Sequence, residues 1–171
     1  MGEWAGDKKE GYGVQLFPNG DKYEGSWMNN QRSGKGTYWK KFNGKLRREY
    51  TGDWNEDHIH GKGTFFYPSN DRYDGFWEMD KKKGDGRMIY QNGDIYEGQW
   101  NSDKRNGYGV LTKRNGDYYE GQWVNDLKEG QGSYYFSSKG KLFVGEWSED
   151  HPKCGVYTEV EDPDTQALKM R

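Results

Sequence analysis

Seven tryptophans recur along the chain at intervals that few folds allow: Trp4, Trp27, Trp54, Trp77, Trp100, Trp123 and Trp147 are separated by 23, 27, 23, 23, 23 and 24 residues. A near-constant period of about 20 to 50 residues marks a stacked array, in which each unit buries its apolar face only against its neighbours. Trp39 alone stands outside the series. Each tryptophan follows a glycine by two positions, from Gly2, Gly25, Gly52, Gly75, Gly98 and Gly121 to Gly145. The first six are followed, seven and nine positions later, by a glycine pair such as Gly34/Gly36 or Gly107/Gly109. An aromatic residue opens every unit after the first: Tyr23, Tyr50, Tyr73, Tyr96, Tyr119 and Phe143.

In Tyr-x-Gly-x-Trp the first, third and fifth side chains share one face of a strand, because side chains alternate with period two. A second strand begins at the Gly-x-Gly pair and runs on through Tyr38, Phe65-Phe66-Tyr67, Met88-Ile89-Tyr90, Val110-Leu111 or Tyr134-Tyr135-Phe136. One hairpin per unit follows, with Asn-Gly-Asp at 19–21, 92–94 and 115–117 supplying the turn between units. Glycine inside a strand leaves room for a neighbouring ring to lie against the backbone. Hydrophobic residues make up only 30% of the chain, and Trp 8, Tyr 14 and Phe 7 supply more than half of them. Burial is therefore expected to be mostly aromatic, and a disordered chain would be poor in such residues.

The pattern resembles the MORN repeat, Tyr-Glu-Gly-x-Trp-x-Asn-x-x-x-x-Gly-x-Gly, which Tyr96 to Gly109 and Tyr119 to Gly132 match closely. The resemblance covers about residues 2–157 and implies an all-β fold, an elongated, twisted single-layer antiparallel sheet of tandem hairpins with a groove along one face. Units are expected at about 2–22, 23–49, 50–72, 73–95, 96–118, 119–142 and 143–157. A capping segment or tail over 158–171 follows, where Asp162-Pro163 has the form of a helix start. The unit from Tyr23 is longer, so Lys40-Lys41-Phe42-Asn43-Gly44-Lys45-Leu46-Arg47-Arg48 should protrude as a basic loop. Cys154 and Val156 stand where the last unit's glycine pair belongs, which suits a terminal, capping repeat. Met1-Gly2-Glu3-Trp4 enters the pattern in mid-motif, as in a piece of a longer protein.

Catalytic patterns are thin. His58 and His60 lack a further ligand at a fixed offset. His151 and Cys154 lack an oxyanion donor, and the Gly-x-Gly pairs lie in strands rather than between a strand and a helix. Neither catalytic residues, a metal nor a cofactor is expected. A net charge of −2 gives no support for nucleic acid as a partner, and a single cysteine fits a reducing compartment. No apolar run approaches the roughly 20 residues of a membrane helix.

Binding is the expected function. Trp27, Trp54, Trp77, Trp100, Trp123 and Trp147 are assigned to the structural core. Tyr50, Tyr73, Tyr96, Tyr119, Phe65, Leu111 and Tyr134 are assigned to a partner groove that takes a helix or peptide. Lys81, Lys82, Lys83, Lys104 and Arg105 are assigned to a basic edge formed by stacked turns, the alternative site, where anionic phospholipid would bind. A homodimer through the C-terminal end is a further expectation. Repeat-only family members serve as cytoskeletal, ciliary or flagellar scaffolds, so the resemblance implies a cytoplasmic, cytoskeleton-associated location in a cilium or flagellum. At ~4.8 Å per strand the array should extend roughly 60 to 65 Å. Small-angle scattering should accordingly report a rod and circular dichroism a β spectrum; a compact sphere or a helical spectrum contradicts the reading.

Overall fold

The computed structural model describes residues 2–160. It is built of strands, β1 (Gly2–Ala5), β2 (Lys8–Leu16), β3 (Lys22–Met28), β4 (Gln31–Phe42), β5 (Lys45–Asn55), β6 (His58–Phe66), β7 (Arg72–Glu78), β8 (Lys81–Ile89), β9 (Ile95–Asn101), β10 (Lys104–Thr112), β11 (Tyr118–Val124), β12 (Leu127–Phe136), β13 (Lys141–Ser148) and β14 (His151–Glu159). One 3-10 turn, Ser137–Lys139, is the only helical element among the described residues. The chain divides into two compact units, Met1–Met88 and Ile89–Arg171. In each, strands lie beside their neighbours in sequence, forming an antiparallel meander. The helix expected over 163–171 falls outside the described residues.

Within the first unit the register brings glycine opposite glycine: Gly13 pairs with Gly25, Gly25 with Gly36, Gly52 with Gly63 and Gly63 with Gly75. The opening phenol occupies the space this creates. A methyl group built on Gly36 would overlap the Tyr23 hydroxyl, and one on Gly63 would overlap that of Tyr50. The other glycine of each pair has a different task. Gly34 adopts φ +85° where the register shifts between Gly25 and Trp27, so it takes up a bulge that a β-branched residue could not. The second unit repeats both devices, with Gly109 and Gly132 under Tyr96 and Tyr119 and Gly107 at φ +98°.

From the second unit on, the hairpin of each unit has two consecutive residues of positive φ between Trp and Gly-x-Gly, such as Glu56-Asp57, Met79-Asp80 and Asn125-Asp126, the backbone of a type I′ turn. Nothing in the types of Glu56 or Met79 announces such a turn. The compensation comes from the preceding repeat, whose strand start donates to the second turn residue. The Arg32 N–H reaches Asp57 Oδ1 at 3.0 Å, Ile59 reaches Asp80 at 2.7 Å, Arg105 reaches Asp126 at 3.0 Å and Lys128 reaches Asp150 at 2.9 Å. The backbone completes each clasp in return, as where the Asp57 N–H donates to the Arg32 carbonyl at 3.0 Å.

Two sequence expectations change. The segment 40–48 is not a loop: it extends β4 and β5 beyond their neighbours and closes on Asn43-Gly44. Nor does the last unit lack both glycines. Gly145 pairs with Gly155, the register position held by Gly132 against Gly121, because β14 is shifted by an irregularity at Glu146/Trp147. A methyl group on Gly155 would lie 2.6 Å from Phe143 Cζ, so the opening ring keeps its slot.

The phenols also donate hydrogen bonds, Tyr50 to the Asp53 carbonyl at 2.9 Å and Tyr96 to that of Gln99 at 3.1 Å. Ring and hydroxyl should separate by mutation. Tyr50→Phe is expected to cost about 1 kcal/mol for the lost bond, and Tyr50→Ala about 3 to 5 kcal/mol for the vacated slot, read by urea unfolding. Equal costs would contradict the role of the ring.

Candidate binding surfaces

The two faces of the sheet are chemically distinct. One carries the opening tyrosines and the tryptophans. Each phenol meets its own tryptophan edge to face, with centroids 5.1 Å apart for Tyr23–Trp27, Tyr73–Trp77, Tyr96–Trp100 and Tyr119–Trp123. It meets the following unit's indole too, at 5.4 Å for Tyr23–Trp54 and 5.5 Å for Tyr96–Trp123. The indole N–H groups donate backward, Trp54 to the Gly36 carbonyl at 3.3 Å and Trp123 to that of Gly109 at 3.1 Å. The tryptophans at 27, 54, 77, 100, 123 and 147 are all buried.

This arrangement corrects the partner groove. Tyr50, Tyr73, Tyr96 and Tyr119 are 0–1% exposed, and Tyr134 is 8% exposed. They therefore cannot offer a partner their rings. Phe65 is half-buried, paired with Tyr50 and Tyr73 and 5.7 Å from Trp77. Leu111 is likewise half-buried, paired with Tyr96 and Tyr119. Burial shifts the phenols accordingly: that of Tyr119 is pushed up to about 12, and those of Tyr23, Tyr50 and Tyr96 are raised further.

The basic edge is corrected in part. Arg105 turns over the face, its guanidinium 4.1 Å from the Trp123 ring and 5.6 Å from Tyr96, with Nε 3.1 Å from Asp126. Arg32 does the same with Trp54, at 4.2 Å, and Asp57. Lys82 is buried, with Nζ 5.6 Å from the Tyr73 ring, and Lys128 lies 5.5 Å from Tyr119 and 5.2 Å from Trp147. Burial lowers the Lys128 pKa, against the pull of Asp150. Cations over ring faces stabilise by about 0.5 to 2 kcal/mol each, and here they also roof the aromatic row. What stays open on this face of the first unit includes a cleft of about 390 Å³ between Lys9, Arg32 and Asp57. Lys81, Lys83 and Lys104 remain exposed, with Lys83 Nζ 3.7 Å from Glu78.

On the opposite face, the first unit carries a trough of about 580 Å³ with glycine backbone and Thr37, Thr51 and Thr64 as its floor. Tyr12, 54% exposed, and Phe76, 41% exposed, stand in its lining. Three of its charged side chains are paired, Lys35 2.6 Å from Asp53, Glu24 2.7 Å from Lys22 and Asp74 2.6 Å from Arg72, and the Thr64 and Tyr12 hydroxyls also donate to Asp74 at 2.6 Å and Glu24 at 2.8 Å. Side chains at the x positions of Tyr-x-Gly-x-Trp and of Gly-x-Gly, with the residue after the glycine pair, build this surface; the repeated aromatics, on the other face, draw the eye from them. Their signal was the small Thr37, Thr51 and Thr64 in register, with the Thr37 and Thr51 hydroxyls 2.9 Å apart.

Among the other candidates, His58 and His151 are engaged. His58 Nδ1 lies 2.6 Å from Asp80, and His151 Nδ1 2.7 Å from the Glu149 carbonyl. Cys154 is exposed, its thiol 3.5 Å from Glu146. Among the described residues no three His, Cys, Asp or Glu gather as metal ligands, and no helix is long and apolar enough to cross a membrane.

The aspartate of the turn between repeats also acts as a tie. Asp117 accepts from the Ser137 N–H at 2.8 Å and the Tyr134 hydroxyl at 3.2 Å; Asp21 accepts from the Lys41 N–H at 2.8 Å and the Tyr38 hydroxyl at 2.6 Å. Burial raises the Asp117 carboxyl, but hydrogen bonds from Ser137, Asn115 and Tyr134 and the Lys113 charge outweigh it and hold the pKa below 3.8.

A family model described as MORN repeat matches residues 1–22, 23–41, 50–72, 73–95, 96–118 and 119–141. No curated protein matches the chain. Among solved structures, a point mutant of the TCP10 domain of Danio rerio CPAP aligns over 88% of this chain and 90% of its own, at 10% identity and a TM-score of 0.23.

A depressed folded-state pKa stabilises the fold above the unfolded value and loses that contribution as pH falls through the folded one. Below the ordinary 3.8 the native chain should therefore lose melting temperature more steeply than Asp117→Asn, which has no carboxyl there to protonate. Parallel melting curves across acid pH would contradict the tie.

Proposed function

The chain belongs to the MORN repeat family, a family of binding repeats, and from that premise we propose that it is a non-catalytic scaffold that holds a protein partner along its open face. The observation that carries this reading is the contrast between faces. The aromatic row is roofed by the chain's own arginines and lysines, whereas the trough over Thr37, Thr51 and Thr64 is lined by exposed rings and by charges of both signs. Charges of both signs with two projecting rings suit a peptide or helix of mixed sequence, since such surfaces specify a partner more than they attract polyanions. Aromatic anchors such as Tyr12 and Phe76 are the residue types that dominate binding energy at interfaces.

The finer setting is also a proposal. The long unit with Lys45-Leu46-Arg47-Arg48-Glu49-Tyr50 and the terminal Lys153-Cys154-Gly155 resemble repeat-only animal members of the family, which supports a place in cytoskeletal, ciliary or flagellar assembly. Anionic phospholipid is the second reading, weakened because Lys82 and Arg105 are engaged with rings.

Filling the trough tests the scaffold. Thr51→Arg with Thr64→Arg should leave the β spectrum unchanged while abolishing retention of at least one axonemal protein held by the immobilised native chain. An unchanged set of retained proteins counts against the trough. Binding of the native chain to phosphatidylcholine vesicles containing phosphatidylinositol bisphosphate, lost on reversing Lys81, Lys83 and Lys104 to Glu, would favour the lipid reading instead.

A further inference from the structure

The hairpin tip formed by β4 and β5 has no counterpart in the other repeats. In strand register its residues pair with one another, Lys40 with Arg47, Lys41 with Leu46 and Phe42 with Lys45, while the neighbouring ladders end at Trp39 with Lys22 and at Tyr50 with Phe65. The ladder of the tip therefore runs past the strands on both sides, tied to the preceding turn through the Lys41 N–H, which donates to Asp21 at 2.8 Å. Residues 40–49 hold five cations and one carboxylate, a net +4 against −2 for the whole chain, so the remaining residues carry −6. Glu49 is engaged by Lys40 at 3.3 Å. Lys41, Lys45, Arg47 and Arg48 have no carboxylate within ion-pair distance among the described residues.

Beside this charge lies an apolar recess. A cleft of about 320 Å³ separates the tip from the turn after β6, with Phe42, Phe66, Tyr67 and Pro68 among its walls. Arg47 sits over Phe42 at 5.2 Å and Arg48 over Phe66 at 5.4 Å. The rings thus hold two guanidiniums at the mouth, and a guanidinium offers a planar fork that matches a carboxylate. Phe42 is 55% exposed and Leu46 46% exposed, an apolar surface that the described residues leave largely open beside the Arg47 guanidinium.

We propose that this cleft is a docking site for an acidic peptide segment, which seats one bulky apolar side chain against Phe42 and Phe66 and sets flanking carboxylates on Arg47 and Arg48. Two features select a short acidic peptide over an extended anionic surface. The cavity is of the size and lining that takes an apolar group, at the lower end of the about 300 to 1,000 Å³ typical of binding pockets, which a headgroup does not require. The −6 carried elsewhere on the chain opposes a broad polyanion such as a membrane, while a peptide confined to the tip avoids it. This site goes beyond the scaffold reading and shares no lining residue with the trough, so either can fail without the other.

The test uses the whole chain and a labelled peptide with one central leucine flanked by glutamates, followed by fluorescence anisotropy. Binding is expected to weaken with salt and to fall at least about tenfold, or about 1.4 kcal/mol, with Arg47→Glu plus Arg48→Glu. It should fall several-fold both with Phe42→Ser, an exposed position where folding is not at stake, and with serine in place of the leucine. Circular dichroism checks each variant's fold. Absence of peptide binding, equal binding of the leucine and serine peptides, or unchanged affinity in the variants overturns the site. So does binding to phosphatidylcholine vesicles containing phosphatidylserine without binding to the peptide, which would make the tip a membrane contact.

Discussion

A phenol ring set against two glycine backbones is the contact on which this architecture depends. The opening tyrosine of each repeat covers the glycine two residues ahead and the glycine opposite it on the next strand. A side chain at either position would overlap the ring, and without the ring the glycines would leave an uncovered stretch of backbone. A single-layer sheet has no second layer to bury its face, so its core must be laid flat along the sheet. Large, flat side chains on glycine achieve this, and aliphatic residues would not. The low hydrophobic content is thus consistent with a folded chain, since few residues bury a large area.

From that contact the repeats are tied to one another by polar groups. The indole of one repeat donates to a glycine carbonyl of the repeat before it, and the turn aspartate accepts from the preceding strand. The cation on that strand lies over the next indole. Three separate interactions therefore cross each such junction, in keeping with stability that sums over nearest neighbours in a repeat protein. Their consequence is negative: by roofing the rings they withdraw the aromatic row itself from a partner, and the contacts proposed above fall on the threonine-lined face and the extended hairpin.

The fold was legible because its determinants repeat. Glycine two before tryptophan and the opening aromatic set strand, face and register, and period-two alternation placed Tyr96, Gly98 and Trp100 together. The sites were less legible, for physical reasons. Alternation places a side chain on a face without saying whether that face is covered, and what covers it here, Arg32 or Arg105, is a cation that reads in sequence as a solvated turn residue. Asp57, Asp80 and Asp126 stand three after each tryptophan, a visible periodicity, but their service to the preceding repeat emerges only once strands are stacked. Gly155 was missed because one residue fewer precedes it than in other units, and spacing alone cannot register an irregular strand.

The interdependence of ring and glycine is open to direct measurement by a double-mutant cycle on Tyr96 and Gly109. Unfolding by urea would give the cost of Gly109→Ala in the native background and again beside Tyr96→Ala. If the phenol occupies the glycine slot, the alanine methyl is costly, on the order of 2 kcal/mol or more, only while the ring is present. Beside Tyr96→Ala the cost should fall below about 1 kcal/mol. An equal cost in both backgrounds would mean that Gly109 serves its own backbone and not the ring, contradicting the contact from which the rest of the structure is built.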